Sequence, residues 1–126
     1  MPDLLDHISI NVTNIAKAQT FYDPVLALLG YKVAFEFEGM LAYKSPIRDT
    51  TILLYLVNSP SPLALTQHVA FKVPSEAEVK EFYTVALASG GKDYGPPGLR
   101  LEYADNYYGA FILDLDGNNI EFVTRL

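Results

Sequence analysis

The chain has no cysteine in its 126 residues. Disulfides, thiolate nucleophiles and cysteine-ligated zinc are therefore excluded outright. Their absence fits a reducing compartment, and a cytoplasmic location is expected. Histidine is almost as scarce, with only His7 and His68. Positive charge is short too: nine Lys and Arg stand against fifteen Asp and Glu, a formal net charge of −6, and no basic run occurs. Such a chain repels phosphate backbones and anionic bilayers, so neither nucleic acid nor membrane is an expected partner. The longest strongly apolar run, ILLYLV, falls far short of a bilayer span. The opening MPDLLDHISI has neither the basic start nor the long apolar stretch of a secretory signal. No phosphate-cradling glycine loop or nucleophile elbow is visible, since Gly90 and Gly91 end a helix rather than begin one.

What is present is bulk. Half of the residues are hydrophobic, and nine Tyr with seven Phe supply large side chains for a core. The length suits a single domain over 1–126, or two small modules sharing a core. An internal repeat favours two modules. Aligning His7 with His68 sets Val12 on Val73, Ala16 on Ala77, Phe21 on Phe82, Tyr22 on Tyr83, Leu26 on Leu87 and Gly30 on Gly91, without a gap. The expected organisation is module one over 1–60 and module two over 64–126, joined near the proline-rich NSPSPLAL.

Each module opens with a strand. In HISINV, Ile8, Ile10 and Val12 alternate with His7, Ser9 and Asn11, which puts the apolar set on one sheet face and the histidine on the other. HVAFKV repeats the pattern with His68 at the same point. A helix follows in each. Ile15, Ala18, Phe21, Tyr22, Val25, Leu26 and Leu29 keep helical spacing before Gly30. Ser75 with Glu78 makes a capping box ahead of Val79, Phe82, Tyr83, Ala86 and Leu87. The rest of each module reads as three strands: KVAFEFEG, MLAYK and TTILLYLV in the first; GLRLEYA, YYGAFILDL and NNIEFVTRL in the second. Asp116-Gly117 is a hairpin signal, and DYGPPGL is expected to be a turn-rich, mobile loop. The expected fold class is α+β: two βαβββ modules forming a pseudo-symmetric curled mixed sheet around a central cup, with the helices outside.

Glu121 is an acid between apolar neighbours in the last strand, sharing a face with Asn119 and Val123. If that face is the concave one, Glu121 joins His7 and His68. Two imidazoles and one carboxylate suit a divalent metal, with coordination positions left open for substrate oxygens. A bland reading competes: a lone strand histidine with a hydrogen-bond partner, and a glutamate paired with Lys72 or Arg125. Tyr103, Tyr107 and Tyr108 cluster in LEYADNYYG, where one tyrosine is a candidate proton donor or substrate contact and simple aromatic packing is the alternative. Arg100 and Asn106 are candidate ligand-orienting groups, while Asp114 and Asp116 read as turn-formers.

Three segments, LDHISINVTNIAKAQTFYDPVLALLGY, QHVAFKVPSEAEVKEFYTVAL and NYYGAFILDLDGNNIEFV, together resemble the vicinal oxygen chelate superfamily. That superfamily includes glyoxalase I, extradiol dioxygenases and bleomycin- and fosfomycin-resistance proteins. The closing turn Asp114-Leu115-Asp116-Gly117-Asn118 carries the resemblance most specifically, with Leu115 where the family usually has proline. The resemblance implies metal ligands on the first and fourth strands of each module, here His7, His68 and Glu121. It also implies a divalent metal (Fe, Mn, Zn or Ni), a small-molecule substrate and a homodimer. The fourth ligand position falls within TTILLYLV, which offers no carboxylate, histidine or glutamine. That departure argues against lactoylglutathione lyase activity, which generally uses four protein ligands. Extradiol dioxygenases use two histidines and a glutamate, but both histidines are then spent and a tyrosine has to replace their additional histidine. The leading expectation is a metal-dependent glyoxalase- or dioxygenase-like enzyme on a vicinal diol, diketone or catechol, with Glu121, Tyr107 or Tyr103 moving protons. The alternative is a metal-free binding protein of the bleomycin-resistance type, whose aromatic cup holds a hydrophobic or cationic ligand.

Overall fold

The computed structural model describes residues 4–57 and 67–126, so the NSPSPLAL junction and both proposed module limits lie outside the described residues. The chain divides into two compact units, Met1–Leu65 and Thr66–Leu126. The first contains β1 (His7–Val12), α1 (Ile15–Ala27), β2 (Lys32–Phe37), β3 (Met40–Lys44) and β4 (Thr51–Leu56). The second contains β5 (His68–Lys72), α2 (Glu76–Ala88), β6 (Lys92–Leu99), β7 (Tyr107–Leu113) and β8 (Asn119–Arg125). Each unit is a βαβββ module with a four-stranded mixed sheet, ordered β1-β4-β3-β2 and β5-β8-β7-β6. The first and last strands of each unit run parallel, and the other pairs are antiparallel.

Local chemistry sets the helix ends. Asn14 caps α1 by accepting from the Lys17 amide at 3.0 Å, and Ser75 caps α2 by accepting from the Glu78 amide. Gly30 closes the first helix at φ 82°, a backbone state that side-chain-bearing residues resist. The apolar stripes then bury as their spacing requires. Phe21, Tyr22, Val25 and Leu26 are buried with Ile10, Val12, Ile52 and Leu54 in unit 1. In unit 2, Phe82 of α2 stacks on Phe122 of β8 at 4.6 Å, and Val79 and Ala86 are buried beside it.

Unit 2 departs from the sequence expectation in one stretch. The supposed loop DYGPPGL belongs to strand β6, and the supposed strand GLRLEYA is largely a turn over residues 100–106. The glycines and prolines mark register shifts, between Asp93 and Gly95 and between Gly95 and Gly98, rather than a chain reversal. Proline is tolerated because β6 lies at the sheet edge, where a missing N–H breaks no ladder. The turn is held by its own backbone: Tyr103 N donates to Arg100 O at 3.0 Å, and Arg100 N to Tyr107 O at 2.8 Å. No helix among the described residues is long and apolar enough to cross a membrane.

Candidate functional site

The site residues of unit 2 are placed by strand register. β5 and β8 pair with His68 opposite Asn119 and Ala70 opposite Glu121. β8 and β7 pair Glu121 with Phe111, Val123 with Gly109 and Arg125 with Tyr107. Cross-strand partners share a face. His68, Glu121, Phe111 and Tyr107 therefore stand on one side, and Phe122 and Ile120 on the helix side. His68, Tyr103, Tyr107, Phe111, Asn119 and Glu121 line a cavity of about 490 Å³, a size suited to a small molecule.

The closing turn brings β5 against β8. Asp114 is buried, and its Oδ1 accepts from the amides of Asp116 and Asn118, both at 2.9 Å. Its Oδ2 accepts from the Asn118 side chain at 2.9 Å. Asn118, itself fully buried, uses its Oδ1 to accept from the Gln67 amide at 3.0 Å, and Asn119 N donates to Gln67 O at 2.8 Å. Asp114 thus forms the turn and holds Asn118, whose side chain fastens the residue next to His68.

Glu121 is 2 % exposed, and its carboxylate is matched on both oxygens. Oε1 lies 3.0 Å from His68 Nε2. Oε2 accepts the Tyr107 hydroxyl. Burial, then the hydrogen bond and charge of Glu121, push the Tyr107 phenol up to about 12, against the lowering effect of Arg125. The Arg125 guanidinium sits 4.5 Å from the Tyr107 ring centre, and the Tyr103 ring meets Tyr107 edge-on at 5.1 Å. Phe111 stacks toward His68 at 6.3 Å.

The donor pair fits a divalent ion. Two donors about 2.1 Å from one ion and at right angles to each other are about 3.0 Å apart. His68 Nδ1 lies 3.2 Å from the Asn119 carbonyl, which can only accept. With the proton on Nδ1 donated to that carbonyl, Nε2 faces Glu121, where it donates a proton to Oε1 as an imidazolium when no ion is present and offers its lone pair when an ion lies between them. His7, the third expected ligand, belongs to unit 1, where its Nδ1 lies 2.7 Å from Asp6 Oδ2. No group of three or more acid, histidine or cysteine side chains suited to a metal occurs among the described residues.

The other candidates divide. Tyr103 is 61 % exposed at the cavity edge. Tyr108 is buried on the helix side of β7, in line with Ala110 and Ile112, so it is turned away from the cavity. Arg100 is committed locally: its guanidinium donates to Pro96 O and Leu99 O and lies 5.5 Å from the Phe111 ring centre. Asn106 sits exposed in the turn, its carbonyl accepting from Leu126 N. Sequence reasoning missed Phe111 and Gly109, and offered Arg125 only as a partner for Glu121, whereas its guanidinium sits against the Tyr107 ring. Counting by twos from Glu121 reaches Asn119, Val123 and Arg125, but only the β7 register adds Phe111 and Gly109.

Comparison with known proteins agrees with this architecture. The structure superposes on a glyoxalase/bleomycin resistance protein from Albidiferax ferrireducens T118 with a TM-score of 0.81 and 25% identity, over 98% of this chain and 100% of that one. A glyoxalase-related enzyme from Fulvimarina pelagi gives 0.75 at 16% identity, over 99% and 89% of the two chains. A glyoxalase/bleomycin resistance protein/dioxygenase family enzyme from Burkholderia phytofirmans PsJN gives 0.75 at 17%, over 96% and 98%. No curated protein matches the chain in sequence. These likenesses define the class of fold, a protein of paired βαβββ modules. Residues 4–122 match the family model of the Glyoxalase/Bleomycin resistance protein/Dioxygenase superfamily, and the chain belongs to that superfamily.

Proposed function

We propose that this chain is a metal-dependent enzyme of its superfamily, acting on a small substrate with adjacent oxygens of the diol, diketone or catechol type. His68 and Glu121 would hold a divalent ion; the third donor expected from the family resemblance, His7, lies in the other unit. The observation that carries this reading is the 3.0 Å separation of His68 Nε2 from Glu121 Oε1, with Nδ1 of the same ring turned to a carbonyl. Within its own unit His7 begins β1 opposite Thr51 of β4, as His68 begins β5 opposite Asn119 of β8. A bound divalent ion supplies Lewis acidity toward substrate oxygens. The chain's own groups do the remaining work. Tyr107 keeps its proton across ordinary pH and holds it on Glu121 Oε2, beside the cavity, where it is available to a developing oxyanion. Phe111 and Tyr103 give the cavity apolar walls that orient a flat substrate and exclude water.

A second reading has its own support. A buried carboxylate with both oxygens partnered is stable without an ion, as a metal-free binding site requires. One experiment separates the two. The protein is purified without chelator and its zinc, iron, manganese and nickel are measured, alongside His68→Ala and Glu121→Ala. Metal at one equivalent, lost in both folded variants, supports the enzyme. No divalent metal at micromolar concentrations leaves the binding protein. The homodimer implied by the family resemblance is read from light scattering, and a monomer at all working concentrations overturns it.

A further inference from the structure

Gly109 sits inside β7, where glycine weakens a strand relative to alanine. Its backbone gives no reason for it, because Gly109 is not among the glycines with positive φ. Space does. A Cβ at this position would meet Tyr107 Cε1 at 3.2 Å, and Glu121 Oε2 and Phe122 O at 3.4 Å each. The first of these is tighter than ordinary van der Waals contact, and the ring it meets is held by Arg125 and Tyr103. Tyr107 therefore lies along β7 over the bare backbone of Gly109, and its hydroxyl arrives at Glu121 Oε2. In unit 1 the corresponding register position is Met40, opposite Tyr55 as Gly109 is opposite Val123, and no carboxylate waits beyond it.

We propose, on the metal-site reading above, that Gly109 is a positioning residue. It seats the Tyr107 hydroxyl on Glu121 Oε2, so that the carboxylate offers only Oε1 to an ion beside His68. A carboxylate with two free oxygens binds an ion through one or both. A phenol fixed on one oxygen removes that choice and sets the coordination number. Hydrogen bonds of this outer kind typically change metal affinity by 10- to 100-fold.

The test is a cobalt(II) titration of the apo-protein, Tyr107→Phe, Gly109→Ala and the double variant, read by visible absorption, with circular dichroism to verify folding. Tyr107→Phe is expected to weaken cobalt binding by about 10- to 100-fold and to shift the ligand-field bands. Gly109→Ala is expected to do the same, and the double variant to add nothing further, because both changes break one hydrogen bond. A lower melting temperature with an unchanged spectrum in Gly109→Ala, or effects that add in the double variant, overturns the assignment. Cobalt binding with identical spectra in Tyr107→Phe also overturns it and leaves the metal site standing. No cobalt uptake by the parent protein removes the metal site and this inference together. Should Gly109→Ala not fold, it is expected to fold again with Tyr107→Leu, which removes the ring it strikes. Failure there too assigns the glycine to the backbone and overturns the assignment.

Discussion

The two units share one topology and differ in what the topology carries. In unit 2, β5 and β8 set His68 near Glu121, and β7 adds Phe111 and Tyr107. In unit 1, the residue at the Glu121 position is Leu53, paired with Ser9 as Glu121 is with Ala70. Ala42 stands where unit 2 has Phe111. His7 is left with Asp6, a neighbour in sequence that is 94 % exposed, and an exposed pair of this kind adds little. The closing turn differs as well. Both units tie the residue before the first strand to the start of the last, Thr51 N to Asp6 O and Asn119 N to Gln67 O, each at 2.8 Å. Unit 2 adds the buried Asp114–Asn118 latch. A repeat thus supplies two frames, and only one was furnished with the acid, the phenol and the latch.

That contrast is open to direct tests. The largest effect is expected from Glu121→Gln, which keeps the shape but removes the charge: metal affinity falls by more than about 100-fold, beyond the range of outer-shell changes. Isothermal titration with zinc reads this, and His7→Ala should lose less than His68→Ala if unit 2 dominates. Next comes Asn118→Ala. It strips the Gln67 amide and Asp114 of a partner inside the protein, and urea unfolding should show a loss of about 1–3 kcal/mol. An equal loss of metal affinity without destabilisation would contradict the latch. A smaller change is expected from Leu53→Glu, which gives unit 1 the acid at the matching position; zinc should bind about tenfold more tightly, since a charged donor is added.

The smallest effect is in titration. Tyr107 is raised to about 12, chiefly by burial and then by Glu121; Tyr43 in unit 1 is raised further, chiefly by burial and then by Asp23, to which it donates a hydrogen bond. A raised phenol contributes stability that is present below its unfolded value of 10.0 and disappears as pH climbs through the folded one. Tyrosinate absorbance should therefore show Tyr107 and Tyr43 ionising above the ordinary phenol range, and stability should decline between about pH 10 and 12. In Glu121→Gln, the Tyr107 step should move to lower pH while the Tyr43 step stays in place.

Much of this was legible in the residues themselves. Period-two alternation put both histidines on the polar face of their strands, and helical spacing with Ser75 and Gly30 marked the helices, because these signals come from neighbours along the chain. The βαβββ duplication followed from the spacing of His7 and His68. Segment 92–106 misled, since glycine and proline signal a loop in isolation and a bulged edge strand once a neighbouring strand supplies the ladder. Arg100 and Tyr108 looked available to a ligand, yet the fold spends one on β6 carbonyls and turns the other inward. Tertiary structure alone decided the company Glu121 keeps. His68 and Asn119 touch across a sequence separation of 51, and Tyr107 and Glu121 across 14. Strand register sets such pairings, and a shift of one residue would turn every one of these side chains to the opposite face.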